Sequence, residues 1–355
     1  MIELLHGVSL ASRTSLGLGG PAQHLVEAAN ESVVVEALQW AKIRALPVLV
    51  LGGGSNLVIG DGGWVGLVLR MGLRGISQDR SGGRLRLTVA AGEPWDALVA
   101  WTVEQGLAGL ECLSGIPGSV GATPIQNVGA YGQEVADVIT AVDVWDRRRG
   151  ERRRLSPAQC AFGYRDSALR RDPEAAVVLA VELSLRPGGA PTLRYGELAR
   201  SLEGQGSAPT LRAVRERVLE LRRGKSMVLD PDDPNRRSAG SFFTNPVVDP
   251  ALARAVIDTA LRDGIVSEAQ QVPRYDTPDG RVKIPAAWLI EASGLRKGQQ
   301  QGAVGISSRH ALALVHHGGG TTAELLAFAR MVRDRVRERF GVELRPEPVL
   351  AGVSW

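Results

Sequence analysis

The stretch 115–132 carries five glycines, two prolines and no charged residue, and its apolar residues follow neither a helical nor a strand period. A long unpatterned segment inside a compact domain is usually functional, so the rest of the chain must supply the layers that hold it. With 355 residues there is enough chain for two or three domains. An amphipathic helix over 33–44 leads into an apolar strand over 46–51, which ends in Gly52-Gly53-Gly54-Ser55-Asn56. Strands are expected over 65–70, 85–90 and 177–185, a helix over 94–105 stopped by Gly106, and a hairpin over 138–155 turning at Gly150. Ser156-Pro157 starts a helix, glycines and prolines at 188–191 and 204–209 mark loops, and Thr210 caps a helix to Arg223, near which a domain boundary falls. In the last third, Asp249-Pro250 opens a helix ended by Gly264, and Thr321 with Glu324 makes a capping box for a helix reaching Phe340. Helices surrounding short strands mark a separate α+β unit.

Apolar runs such as 175–181 are too short for a membrane span, and 1–20 lacks a basic start followed by a hydrophobic block. Cys112 and Cys160 form no CxxC pair, and the histidines show no ligand spacing, so neither a disulfide scaffold nor a metal site is expected. A cytoplasmic protein without membrane contact is the expectation. The formal charge is +4, and Lys42, Lys225, Lys283 and Lys297 are the only lysines, so the positive charge is arginine, which suits anionic small molecules as well as nucleic acid. Its densest cluster, 147–154, reads as a solvated hairpin tip; aromatics are 5% and none is interleaved there, so no nucleic-acid partner is expected.

Gly52 and Gly54 supply the first half of a dinucleotide fingerprint, but Leu57 stands where its third glycine belongs, and 57–63 does not open a helix. No Gly-Lys-Ser/Thr follows, which removes a Walker loop. The loop alone reads equally as a backbone cradle for a pyrophosphate or as a glycine-rich turn. The second loop combines close-approach glycines, apolar side chains and amides, a wall suited to a large flat heterocycle carrying phosphates. Neither loop holds lysine or arginine, so main-chain amides would meet the phosphate charge.

The motifs Leu51-Gly52-Gly53-Gly54-Ser55-Asn56, Ile116-Pro117-Gly118-Ser119-Val120-Gly121, Pro124-Ile125-Gln126-Asn127-Val128-Gly129-Ala130-Tyr131-Gly132, Phe162-Gly163-Tyr164-Arg165-Asp166-Ser167 and Ala239-Gly240-Ser241-Phe242-Phe243-Thr244-Asn245-Pro246 resemble, in collinear order, the UDP-N-acetylenolpyruvoylglucosamine reductase (MurB) family. The resemblance spans 14–348. It implies an α+β chain: an FAD-binding fold of the vanillyl-alcohol-oxidase type in two subdomains, 1–72 and 73–223, then a substrate-binding domain, 224–340, with the tail 341–355 returning to the first. It also implies NADPH-dependent reduction of an enolpyruvyl ether to a lactyl ether in peptidoglycan synthesis, and a monomer is expected. FAD would be held by Gly52, Gly53, Gly54, Ser55, Asn56 and Leu57 and by Ile116, Pro117, Gly118, Ser119, Gly121, Ala122, Thr123, Gln126, Asn127, Gly129, Ala130 and Tyr131. Catalysis falls on Arg165, Ser241 and Glu347, and substrate contacts on Tyr164, Arg165, Tyr195, Lys225, Asn245 and Lys283. Tyr195 places the chain with members that carry a tyrosine loop. Two departures are the stretch 230–237 after Lys225, which puts loop geometry there in doubt, and His316 where asparagine is common, a matter of packing.

The implied reaction pushes negative charge onto the carboxylate of the enolpyruvyl group, and stabilising that charge is the central task. Arg165 suits it as a permanently charged bidentate donor, though alone it reads as a surface arginine paired with Asp166. Glu347 fits beside a developing anion if burial keeps it a neutral acid; otherwise it reads as a partner of Arg345. Ser241, preceded by Gly240, reads equally as a proton donor aided by neighbours or water and as a turn serine bonding its own backbone. Tyr195 and Lys225 read as a core aromatic and a helix-end cation, or as holders of the diphosphate of a nucleotide sugar; Asn245 shares that role or supports the turn before Pro246. Two other classes stand beside this reading. The Gly163–Ser167 and Gly240–Phe243 motifs disfavour an alcohol- or sugar-oxidising flavoenzyme of the same fold, and the joint presence of Arg165, Ser241 and Glu347 disfavours a non-catalytic nucleotide-sugar binding protein.

Overall fold

Capping chemistry sets where the helices begin. Asn30 accepts from the Val33 N–H and opens the helix Glu31–Ile43; Ser156, Thr210 and Thr321 do the same for Pro157–Cys160, Leu211–Gly224 and Thr322–Phe340. Gln159 and Glu324 reach back to complete capping boxes. The computed structural model describes residues 2–81, 83–203 and 208–355. Of the loop expected over 204–209, residues 204–207 lie outside the described residues. The chain forms two compact units, one of Met1–Val8, Ala22–Gly54 and Trp64–Leu229, the other of Ser9–Pro21, Ser55–Gly63 and Asp230–Trp355.

In the first unit the strands Leu5–Ser9, Pro21–Ala28, Trp64–Met71 and Val48–Leu51 lie side by side in that order, the last three parallel. A parallel strand covered on both faces needs consecutive apolar residues, and Leu67, Val68 and Leu69 are all fully buried. The helix Glu31–Ile43 packs on this sheet and buries Val34, Ala37, Leu38 and Ala41. A second, antiparallel sheet runs in the order Glu151–Leu155, Ile139–Asp146, Ala176–Pro187, Arg84–Ala90, Ile76–Ser81. The last of these strands was not expected, because its residues after Ile76 are polar and give no alternation. Both sheets contribute to one apolar core.

The hairpin arginines are matched to acids. Arg152 reaches Asp143 and Glu31, Arg153 reaches Asp146, and Arg154 reaches Asp143 and Glu182. The cluster is thus a ladder of pairs built largely on carboxylates of the neighbouring strands. Cys112 and Cys160 are buried free thiols, and burial pushes the first up to about 12 and the second to about 11.

In the second unit the strands Ser238–Ser241, Ala313–His316, Val304–Ile306 and Gln300–Gln301 form an antiparallel sheet. The helices Pro250–Arg262, Ala286–Ala292 and Thr322–Phe340 share its apolar core. The tail strand Val349–Ala351 runs parallel to Leu57–Ile59, so the glycine loop is followed by a strand, as the exclusion of a dinucleotide fingerprint requires. Next along, Asp61 accepts from the Thr322 N–H at 2.7 Å and the Ala323 N–H at 2.9 Å, capping the long helix from outside it. His316 is buried, with Nδ1 3.2 Å from Leu16 O and Nε2 accepting from the Gly320 N–H at 3.1 Å. That pair of bonds needs the neutral ring, Nδ1 carrying the proton, and burial holds its pKa below the usual 6.5. Packing is therefore the role of His316. The stretch 230–237 is ordered by Asp233 and Asn235: Asn235 N–H donates to Asp233 at 2.8 Å, and Asn235 Oδ1 accepts from the Ser308 N–H at 3.0 Å. Among the described residues no helix is long and apolar enough to cross a membrane.

Asp61→Ala removes both acceptors and is expected to lower unfolding free energy by about 1–2 kcal/mol in urea titrations, with Asp61→Asn losing less. The depressed His316 pKa gives stability that is complete above the usual value and lost as pH falls through the lowered one. The urea midpoint should therefore drop as pH falls below about 6.5, and His316→Asn should remove part of that drop.

Candidate active site

The glycine segment is fastened at its start and middle. Asp96 accepts from the Gly115 N–H at 2.6 Å while paired with Arg215 through both carboxylate oxygens. Further on, Trp95 N–H donates to Gly118 O at 3.0 Å, Val120 N–H to Glu93 O at 2.9 Å, and Gly121 N–H to Ala91 O at 2.9 Å. Residues 118–121 thus run antiparallel to 91–95, and a Cβ on Gly121 would lie 2.5 Å from Ala91 Cβ. The first loop meets this same edge: a Cβ on Gly53 would lie 2.7 Å from Gly118 Cα, and one on Gly52 2.5 Å from Ser119 Oγ. Ile116 packs against the core, Thr123 is buried with its hydroxyl on Val120 O, and Ala122 is exposed. Ser55, Asn56 and Leu57 continue into the second unit, where Val349 N–H donates to Asn56 O at 3.0 Å.

Residues 125–129 are bound to the Phe162–Ser167 motif. Ser167 donates to Ile125 O, Arg170 to Gln126 Oε1 at 2.9 Å, Asn127 to Gly163 O at 3.1 Å, and Arg165 to Gly129 O at 2.9 Å. Asn127 also donates to Glu134 at 2.7 Å and accepts from the Ala136 N–H, so its amide is engaged in shaping the loop. Ala130 and Gln133 pair across a tight turn in which Tyr131 and Gly132 both have positive φ, +48° and +78°, a primed hairpin turn. Arg165, at φ +52°, lies in the turn closed by Gly163 and Asp166, and its guanidinium stands 5.7 Å from the Tyr164 ring centroid. The Asp166 carboxylate is taken by Arg171. Six non-glycine residues have positive φ among the described residues, Ala45 and Ala161 at helix ends and Asn127, Tyr131, Arg165 and Ser226 in this region, a placement that costs roughly 1–2 kcal/mol each. Backbone strain of this kind gathers at functional sites.

Tyr195 precedes the helix Gly196–Ser201 and meets Tyr131 edge to face at 5.4 Å. From that helix Glu197 holds Lys225 at 2.9 Å, and the Lys225 ammonium lies 5.8 Å from the Tyr131 ring centroid. Burial pushes the Tyr131 phenol up, keeping it a neutral donor. One turn before Lys225, Arg222 donates to Met227 O at 2.6 Å, while its Nε is buried with no hydrogen-bond partner. No carboxylate among the described residues pairs with it. Burial acts against its charge, Tyr131 and Asp96 favour it, and Arg165 opposes it. Sequence reading passed over Arg222 and Glu197, the first because it looks like any helix-end arginine, the second because its partner is distant in the chain.

In the second unit the segment that carries Glu347 runs along the residues that follow Ser241. Ser241 follows Gly240, at φ +71°, where the strand slips register against Ala313–His316. Glu347 N–H donates to Phe242 O at 2.9 Å, Phe243 bridges Pro346, and Thr244 N–H donates to Arg345 O at 3.1 Å. Asn245 Oδ1 accepts from the Ala286 N–H at 2.9 Å at the start of a helix, and Lys283 Nζ stands 5.7 Å from the Tyr275 ring centroid. No group of three potential metal ligands occurs among the described residues.

Residues 22–156 match the FAD binding domain family, and 232–351 match the UDP-N-acetylenolpyruvoylglucosamine reductase C-terminal domain. The UDP-N-acetylenolpyruvoylglucosamine reductase of Saccharopolyspora erythraea is 50% identical over 97% of this chain and 94% of its own length. The chain belongs to the UDP-N-acetylenolpyruvoylglucosamine reductase family. The enzyme of that name from Streptomyces coelicolor is 49% identical over 99% of this chain and 91% of its own length. The crystal structure of the reductase from Thermus caldophilus superimposes with a TM-score of 0.65 at 27% identity, covering 99% of both chains. As a member of the reductase family the chain is an α+β FAD-binding oxidoreductase that forms UDP-N-acetylmuramate from UDP-N-acetylglucosamine enolpyruvate for peptidoglycan synthesis. The residues present fit FAD. Two glycine loops meet backbone to backbone, a wall that a bulky cofactor can approach closely, and the orphaned Arg222 Nε is a buried cation suited to negative charge on a bound group.

Gly53→Ala forces the two loops apart and is expected to lower the flavin-to-protein absorbance ratio of the purified reductase several-fold. Gly62→Ala, where an added Cβ meets nothing within 4 Å, should leave that ratio unchanged.

Proposed function

We propose that the reductant is NADPH and that Arg165, Ser241 and Glu347 carry the chemistry on the enolpyruvyl group. When bound, FAD supplies a two-electron relay that takes hydride from the reduced nicotinamide and gives it to the alkene. Arg165 meets the substrate carboxylate as negative charge grows there, and its turn, strained at φ +52° and tied to Gly129 O, fixes the guanidinium beforehand. Ser241 delivers the proton to the carbon beside that carboxylate. Glu347 acts as a neutral acid donating a hydrogen bond to the same developing charge. The backbone bond from Glu347 N–H to Phe242 O supports this reading, since it fixes the segment that carries Glu347 against the residue that follows Ser241.

Tyr195 and Lys225 hold the diphosphate, with Tyr164, Asn245 and Lys283 as further substrate contacts; remote binding of this kind orients the small reacting group. The Glu197–Lys225 pair supports it, because Glu197 keeps the ammonium in place until a stronger anion arrives. The remaining proposals are a cytoplasmic monomer serving cell shape and division, and a three-part division at 1–72, 73–223 and 224–340 with 341–355 returning to the first. The two separate sheets within the first unit support that split.

Anaerobic mixing with NADPH should bleach the yellow protein, and the enolpyruvyl nucleotide sugar should restore its colour. Ser241→Ala should leave bleaching nearly intact and slow recolouring by about a hundredfold or more. Equal loss in both halves would remove the proton-donor assignment, and full activity of Glu347→Ala would remove the neutral acid.

A further inference from the structure

Thr192, three residues before Tyr195, has every polar backbone and side-chain group engaged from one side. Its N–H donates to the Glu111 carboxylate at 2.7 Å, its hydroxyl accepts from Gln133 Nε2 at 3.1 Å, and its carbonyl accepts from Cys112 Sγ at 3.2 Å. Glu111 is fully buried and Gln133 is 2% exposed. The other bonds of this pair close the network: Glu111 accepts from the Gly109 N–H at 2.7 Å and from Gln133 Nε2 at 3.3 Å, and Gln133 Oε1 accepts from the Cys112 N–H at 3.0 Å. No cation pairs with Glu111 among the described residues; its charge is met by N–H dipoles, which makes each bond charge-assisted.

From this anchor the two segments run alongside each other. Gln133 holds Thr192, a Cβ on Gly132 would lie 2.9 Å from Arg194 Cβ and 3.2 Å from Tyr195 N, and Tyr131 meets the Tyr195 ring. The order 133, 132, 131 therefore faces 192, 194, 195. We propose that Glu111 and Gln133 are positioning residues that set the Tyr195 segment, and through Glu197 the Lys225 ammonium, in register to receive the diphosphate of the substrate. This rests on the reading of Tyr195 as a substrate contact. Neither residue touches the substrate; both act on Thr192. The network is placed to affect binding of the nucleotide sugar and to leave reduction by NADPH alone, so its mark is a KM effect confined to one substrate.

Thr192→Val removes the hydroxyl acceptor while keeping shape, and Thr192→Ser restores it. With the flavin-loaded enzyme, Thr192→Val is expected to raise KM for the enolpyruvyl nucleotide sugar roughly tenfold, with Thr192→Ser near the parent. The NADPH half-reaction should be unchanged in both. Glu111→Gln, which turns an acceptor into a donor facing N–H groups, should raise KM at least as much wherever it folds. In a Tyr195→Ala background, Thr192→Val should add little further, because the two act as one unit. A raised KM in Tyr195→Ala with an unchanged KM in Thr192→Val overturns the positioning role alone. An unchanged KM in Tyr195→Ala overturns the reading of Tyr195, and the positioning role with it. Equal slowing of both half-reactions in Thr192→Val assigns the network to general stability and also overturns the proposal.

Discussion

Backbone approaches backbone only where no Cβ intervenes, and the contact of Gly53 with Gly118 depends on that, as does the seat of Gly121 on Ala91. From these two approaches the remainder of the first unit follows in order. Residues 118–121 can lie along 91–95 because Gly121 fits there, Asp96 can then take the Gly115 N–H together with Arg215, and the helix Leu211–Gly224 is thereby tied to the glycine segment. That helix ends where Arg222 and Lys225 stand. A substitution among these glycines therefore acts on the cationic end of a helix about a hundred residues away in the chain, through backbone position and not through charge.

The same unit stores strain where it needs direction. Asn127, Tyr131 and Arg165 are left-handed at the cost of local free energy, and each is over-determined by neighbours: Asn127 by Glu134, Ala136 and Gly163, Tyr131 by the hairpin that it caps, Arg165 by Gly129 and by the closure of its turn. Apolar burial supplies the stability against which such residues are held. In the second unit the device differs, since Gly240 absorbs the positive φ and leaves Ser241 on regular backbone at a register slip.

Much of this was legible in the chain because the signals are local. Helix starts at Ser156, Thr210 and Thr321 rest on side chains that bond within one turn, the hairpin at 138–155 on alternation about Gly150, and the loops on glycine spacing, whereas the first helix, expected over 33–44, begins two residues earlier behind its Asn30 cap. The family motifs extended that reading to the site. What stayed hidden depends on partners far apart in sequence. Glu111 looks like any helix-turn carboxylate until Thr192 is beside it, Asp61 like a loop acid until it caps a helix beginning at Thr322, and Arg222 like a solvated cation until its Nε is buried. The passage of 9–21 and 55–63 into the second unit was equally invisible, because the glycines at their ends read equally as turns within one domain.

Cys112 and Cys160 are the only cysteines, and burial raises both thiols far above neutrality, to about 12 and about 11. Thiolate is the species that alkylating reagents capture, so the folded chain presents almost none of it. Both residues lie in the first unit, one in the Thr192 network and one in its main core. The native molecule thus offers a blank background for fluorophore attachment at an introduced surface cysteine, and the slow labelling of its own two thiols becomes a clock for the opening of that unit.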